Sequence, residues 1–130
     1  MKSSGVMTSR VISDNGLSAA AGGYRIDIRL PWYRSLPVST VEVSAVAIDG
    51  KPVDLATVSF ELEGRAASLA SMADQVDRVW YVLDSAFLNV PATNAIKGGS
   101  HEVSVTLSLY PPYIRGLKRM TRDSQILIAR

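Results

Sequence analysis

Residues equipped for acid–base or nucleophilic chemistry are few in this sequence, and they are scattered. One histidine, His101, follows Gly98-Gly99-Ser100 at the start of an alternating stretch. A general base needs an orienting partner within hydrogen-bond reach, and the neighbouring Glu102 alternates to the other face. His101 therefore reads as a turn or hydrogen-bonding residue before it reads as a catalyst. Asp27 lies between Arg25 and Arg29 on the polar side of a strand-like segment. That predicts a solvated ion-pair ladder, worth ~0–1 kcal/mol. Glu42, Glu61 and Glu63 fall at outward positions and read as solubilising groups. With one His and no Cys, neither a multi-histidine nor a thiolate metal site can be built from this chain alone. No Gly-rich phosphate loop or nucleophile elbow is present. The expectation is a chain with no catalytic set and no metal site of its own.

The residues that do stand out are those of recognition. Pro31-Trp32-Tyr33-Arg34-Ser35-Leu36-Pro37 sets a Trp, a Tyr and an Arg between two prolines. Tyr110-Pro111-Pro112-Tyr113-Ile114-Arg115-Gly116 partly echoes it. Trp, Tyr and Arg are enriched at interface hot spots. Proline lowers the entropy lost when a loop is ordered against a partner. Trp32, Tyr33, Arg34, Tyr110, Pro112, Tyr113 and Arg115 are accordingly the candidate contact residues. The plainer alternative is that Trp32 and Tyr33 fold back and cap the core. The two loops could lie at one end of the fold or at opposite ends, and the sequence leaves both open.

The elements that must position these loops alternate with period 2, the mark of half-buried strands. A first strand is expected around Val6–Ile12, followed by a turn at Asp14-Asn15-Gly16 and a small-residue loop over 19–23. Tyr24–Leu30 and Thr40–Ile48 flank the first aromatic loop. Asp49-Gly50 predicts a type I′ hairpin, with Lys51-Pro52-Val53 returning as a short edge. Thr57–Leu62 is the next strand. Leu69, Met72, Ala73 and Val76 have helical spacing, so 65–77 is expected to be a short helix or a compact loop. Arg78–Leu83 reads as a well-buried strand and 85–99 as irregular. Glu102–Tyr110 alternates cleanly, and a last strand is expected over Ser124–Ala129. Many short strands with at most one short helix predict an all-β fold: one antiparallel, jelly-roll-like β-sandwich domain over residues 1–130.

Composition bounds the remaining possibilities. A hydrophobic fraction of 47% with 20% charged residues is that of a folded globular chain. The formal charge of +2 is too small to imply nucleic acid. Arg115, Lys118, Arg119 and Arg122 could touch a phosphate backbone, but a solvated face or an acidic protein partner fits the mixed charge better. The start of the chain lacks a signal-peptide pattern, and no apolar run approaches the roughly 20 residues a membrane span needs. With cysteine absent, a reducing cytoplasm is the expected setting and a membrane is not.

The order of landmarks also resembles a known family. The segments YRIDIRLPWYRSLP, VEVSAVAIDGKPV and VSFELEG, the strand with Trp80, and GGSHEVSVTLSLYPPY resemble the β subunit of bacterial C-glycoside deglycosidases, from about Gly23 onward. The most specific parts are Arg29–Pro37, Asp49-Gly50 and Gly99–Val103. The resemblance implies a small β-sandwich paired with a larger α subunit similar to sugar isomerases, a TIM barrel holding a divalent metal, typically manganese. It implies a complex that acts on 3-oxo-C-glycosides. The ketone acidifies the neighbouring C–H, and elimination breaks the carbon–carbon bond to the aromatic aglycone. Metal and general base would then reside on the α subunit, and the aromatic loops here would dock it and border the active-site mouth. A reading from another class is a stand-alone carbohydrate-binding or adaptor sandwich with no enzymatic partner.

Overall fold

The computed structural model describes residues 10–20, 22–91 and 99–129. Its strands are β1 (Ile12–Ala20), β2 (Gly23–Arg29), β3 (Leu36–Pro37), β4 (Val41–Ile48), β5 (Lys51–Pro52), β6 (Ser59–Leu62), β7 (Arg65–Ser68), β8 (Val79–Trp80), β9 (Ser85–Pro91), β10 (Ser100–Leu109) and β11 (Arg119–Ile128). One sheet has the order β1-β2-β9-β6-β7 and the other β11-β10-β4-β5, with β3 and β8 forming a small ribbon of their own. Every pairing is antiparallel. The fold is an all-β sandwich, as the alternation predicted.

The alternation places the core. Tyr24, Ile26 and Ile28 of β2 pack inward with Ala86, Leu88 and Val90 of β9 and Phe60 and Leu62 of β6. Val103, Val105, Leu107 and Leu109 of β10 face them from the other sheet with Val41, Val43 and Val46. Trp80 is fully buried; its ring meets that of Phe60 edge-on at 5.5 Å and its indole N–H donates to the Asp84 carbonyl at 2.9 Å. Edge-on aromatic pairs add ~0.5–1.5 kcal/mol beyond their buried area.

Several expectations are corrected. Asp14-Asn15-Gly16 does not end a strand but sits inside β1 as an irregularity. The register steps from Ile12↔Ile28 to Leu17↔Ile26, and Asn15 takes φ 55°. A Cβ on Gly16 would meet the carbonyl oxygens of Ser13 at 2.7 Å and Asp27 at 3.0 Å, so the tight approach selects glycine. The strand expected around Val6–Ile12 lies outside the described residues except at its end, where Ile12 opens β1. In the small-residue stretch after it, Ala19 and Ala20 close β1 and Gly23 opens β2, with Ala20 opposite Gly23.

Region 65–77 is neither an α-helix nor a loop alone. It is β7 followed by a six-residue 3-10 segment, Leu69–Asp74, whose N-cap Ser68 accepts from the Ser71 amide. Met72 is buried while Val76 is 65% exposed, so the helical spacing did not carry through. Of Arg78–Leu83, only Val79–Trp80 is strand; Tyr81 and Leu83 are exposed. Residues 85–91, expected to be irregular, form β9, the central strand of the five-stranded sheet; 92–98 lie outside the described residues. The last strand begins at Arg119, five residues before the expected Ser124. Asp49 and Gly50 do take positive φ, 52° and 80°, as the type I′ hairpin requires.

Candidate functional site

β2 delivers the chain to Leu30 and Pro31, both buried, and the backbone then bends over 32–34. Trp32 is only 8% exposed and belongs to the core. For this side chain the capping alternative is the one the structure adopts. Its indole N–H donates to the Tyr113 hydroxyl, which draws the two proline-flanked loops together. The loops therefore share one end of the sandwich, the question that sequence left open. Tyr33 projects outward at 57% exposure, its ring 5.0 Å from that of Trp32 and tilted by 43°. Arg34 lies over the Tyr113 ring at 4.9 Å. The neighbouring Tyr113 hydroxyl holds the Tyr33 phenol above its ordinary pKa.

The second loop is anchored where β10 ends. The Tyr110 amide donates to the Thr40 carbonyl at 2.9 Å, and its hydroxyl donates to Glu42 Oε1 at 3.0 Å. Turns follow through Ile114 N–H to Pro111 O at 3.1 Å and Leu117 N–H to Ile114 O at 3.3 Å. They enclose an open depression of about 330 Å³, lined by Tyr110, Pro112, Ile114, Arg115, Leu117 and Lys118 among others. Lys118 stands 5.8 Å from the Tyr110 ring. Pro112, Tyr113 and Arg115 are exposed.

A third loop joins them, and sequence reasoning missed it. The Val82 amide donates to Ser35 Oγ at 2.9 Å, and the Asp84 amide closes a turn on the Tyr81 carbonyl at 2.9 Å. Tyr81 and Leu83 are left 55% and 79% exposed. The run Val79-Trp80-Tyr81-Val82-Leu83 is apolar at both parities, so its periodicity names no inward face. The only available signal was the polar Asp84-Ser85 that follows.

Elsewhere the ionisable residues are held in local structure. Arg25 does not pair with Asp27; it reaches Glu61 at 3.1 Å and lies over the Phe87 ring at 3.9 Å, while Asp27 accepts from Ser13 Oγ at 2.9 Å. Glu61 also accepts from Asn89 at 3.1 Å, so it is tied into the sheet face and not simply solubilising. The predicted ladder fails because the nearest oppositely charged group stands across the sheet. At the end opposite the aromatic loops, Asp49 Oδ2 lies 2.8 Å from His101 Nδ1, and Asp49 Oδ1 accepts the Glu102 amide at 2.9 Å. The His101 bond, then the amide, hold the Asp49 carboxyl below its ordinary 3.8. This ties the β4–β5 hairpin to β10, matching the structural reading of His101. Burial, then the charge of Asp49, pushes the Tyr24 phenol up to about 12.

Among the described residues, ten large hydrophobic side chains are exposed, and six of them stand on these three loops: Tyr33, Tyr81, Leu83, Tyr110, Tyr113 and Ile114. With ~150–250 Å² per aromatic side chain, they bare on the order of 600 Å². That reaches the upper limit for the largest apolar patch of an ordinary monomer, and interaction sites begin there.

The family model described as "C-glycoside deglycosidase beta subunit" matches residues 4–113. The chain belongs to that family. It is 39% identical over 105 residues to the 3'-dehydrocarminate deglycosidase beta subunit of a Microbacterium species, covering 81% of this chain and 79% of that protein. It is 32% identical to the C-glycoside deglycosidase beta subunit of Microbacterium trichothecenolyticum, again over 81% and 79% of the two chains. A beta subunit from Arthrobacter globiformis is 31% identical, over 84% of this chain and 83% of its own.

Proposed function

We propose that this chain is the accessory subunit of a carbon–carbon lyase. The complex splits 3-oxo-C-glycosides by proton abstraction next to the ketone and elimination of the aromatic aglycone. The partner is a larger TIM-barrel subunit similar to sugar isomerases, which holds the divalent metal, manganese in this reading, and the general base. That metal supplies electrostatic stabilisation of negative charge. This chain binds the larger subunit through its aromatic end and borders the site mouth. Its setting is the cytoplasm; no helix among the described residues is long and apolar enough to cross a membrane.

The observation that carries the docking role is the gathering of Tyr33, Tyr81, Leu83, Tyr110, Tyr113 and Ile114 at one end. A standard interface takes ~800 Å² from each partner, and this patch with its flanking prolines and arginines approaches that. Trp32, being buried, acts by holding Tyr113 and Tyr33 in place and not as a contact itself. The test is an assay of the larger subunit on a 3-oxo-C-glycoside with and without this chain. Turnover is expected to depend on both chains and to fall in the Trp32→Ala, Arg34→Ala double variant. Equal turnover without this chain overturns the reading.

A further inference from the structure

The aromatic end carries cations as well as rings. Arg34 stands on the first loop, and Arg115 and Lys118 on the second, with no acidic residue in either segment. None of the three forms an ion pair among the described residues; the ion pairs there are Arg10–Asp14, Arg25–Glu61 and His101–Asp49. The acids that belong to this end are otherwise placed. Glu42 accepts the Tyr110 hydroxyl, Asp84 closes the third loop and is exposed, and Glu63 is exposed on the β6–β7 turn; none of them forms an ion pair with Arg34, Arg115 or Lys118.

Two of the cations are pre-positioned. Arg34 lies over the Tyr113 ring at 4.9 Å and Lys118 over the Tyr110 ring at 5.8 Å. A guanidinium held against a ring keeps its outer N–H edge available for two-point pairing with a carboxylate. Covering such cations without counter-charges leaves them desolvated and unpaired, which is strongly unfavourable. Whatever covers this end must bring acids of its own.

We propose that the aromatic end docks on an acidic surface of the larger subunit, whose carboxylates pair with Arg34, Arg115 and Lys118. The inference rests on the subunit reading above. The depression between Tyr110 and Lys118, with Pro112, Ile114 and Leu117 in its wall and Arg115 and Lys118 beside them, fits an apolar side chain flanked by carboxylates. The aliphatic wall of the depression, Pro112, Ile114 and Leu117, favours a protein side chain over a phosphate backbone. Arg115 and Lys118 lie beyond the residues that the family model matches.

The test measures association of the purified larger subunit with this chain by stopped flow at low and at physiological ionic strength. Oppositely charged surfaces predict an association rate that falls about tenfold over that range. Arg34→Glu with Arg115→Glu is expected to slow association by about tenfold at low salt and to flatten the salt dependence. Arg115→Glu with Lys118→Glu, which leaves the Tyr113 contact intact, is expected to do the same. Lys51→Glu, on β5 at the end opposite the aromatic loops, is expected to change little. A complex that forms at a salt-independent rate, or charge-reversed variants that associate as fast as the parent, overturns this proposal alone. No complex at any salt overturns it together with the subunit reading. Tighter binding of the isolated chain to a DNA oligonucleotide than to the larger subunit also overturns it.

Discussion

Tyr113 has two tasks: it accepts the Trp32 indole N–H and underlies Arg34. One hydroxyl thus sets the geometry of both proline-flanked loops. Tyr113→Phe keeps the ring and removes the acceptor, leaving the indole N–H of a nearly buried Trp32 unpaired. The expected loss is about 1–3 kcal/mol, read as a lower urea midpoint with an unchanged slope. Sequence named Tyr113 and Trp32 as candidates separately. It gave no reason to join them, because they are 81 residues apart and the bond exists only once two strands deliver both loops to one end.

At the scale of elements, the open side of the sandwich is closed by one carboxylate. Asp123 of β11 accepts the amides of Val11 and Ile12, each at 2.9 Å, and so bridges the two sheets where β1 meets β11. Asp123→Ala strands two partly buried N–H groups. It is expected to cost about 2–3 kcal/mol and to speed hydrogen exchange at Val11 and Ile12 selectively. Unchanged exchange at those two amides refutes the bridging role. β2, β6 and β10 were legible because one parity is apolar and the other polar along each; in β4 the inward side changes parity from Val43 to Val46 at a register shift, which leaves Ala45 exposed. β9 was not legible, since Ala86 and Leu88 flank Phe87, an outward ring covered by Arg25. β11 was legible only in its second half, because Arg119, Arg122 and Asp123 make its first half read as a charged connection.

At the scale of the molecule, the fold and the docking surface separate. Tyr81 and Leu83 contribute little to the packed core, so Tyr81→Ser with Leu83→Ser is expected to shift the stability of the isolated chain by no more than about 0.5 kcal/mol. The same double variant is expected to weaken assembly with the larger subunit, read by size-exclusion chromatography of the mixture against the melting temperature of the chain alone. A large drop in melting temperature places the loop in the core instead.

Local physics in the sequence determined the sandwich, the Asp49-Gly50 hairpin, the scarcity of catalytic residue types and the aromatic character of two loops. Each follows from residue identity over a few neighbouring positions: side-chain parity, positive φ, proline's fixed torsion. Tertiary structure decided that Trp32 turns inward, that Arg25 pairs with Glu61 and not Asp27, and that a third loop with Tyr81 and Leu83 completes the exposed end. Those outcomes depend on which distant strands become neighbours, and parity along one strand carries no record of what lies across the sheet.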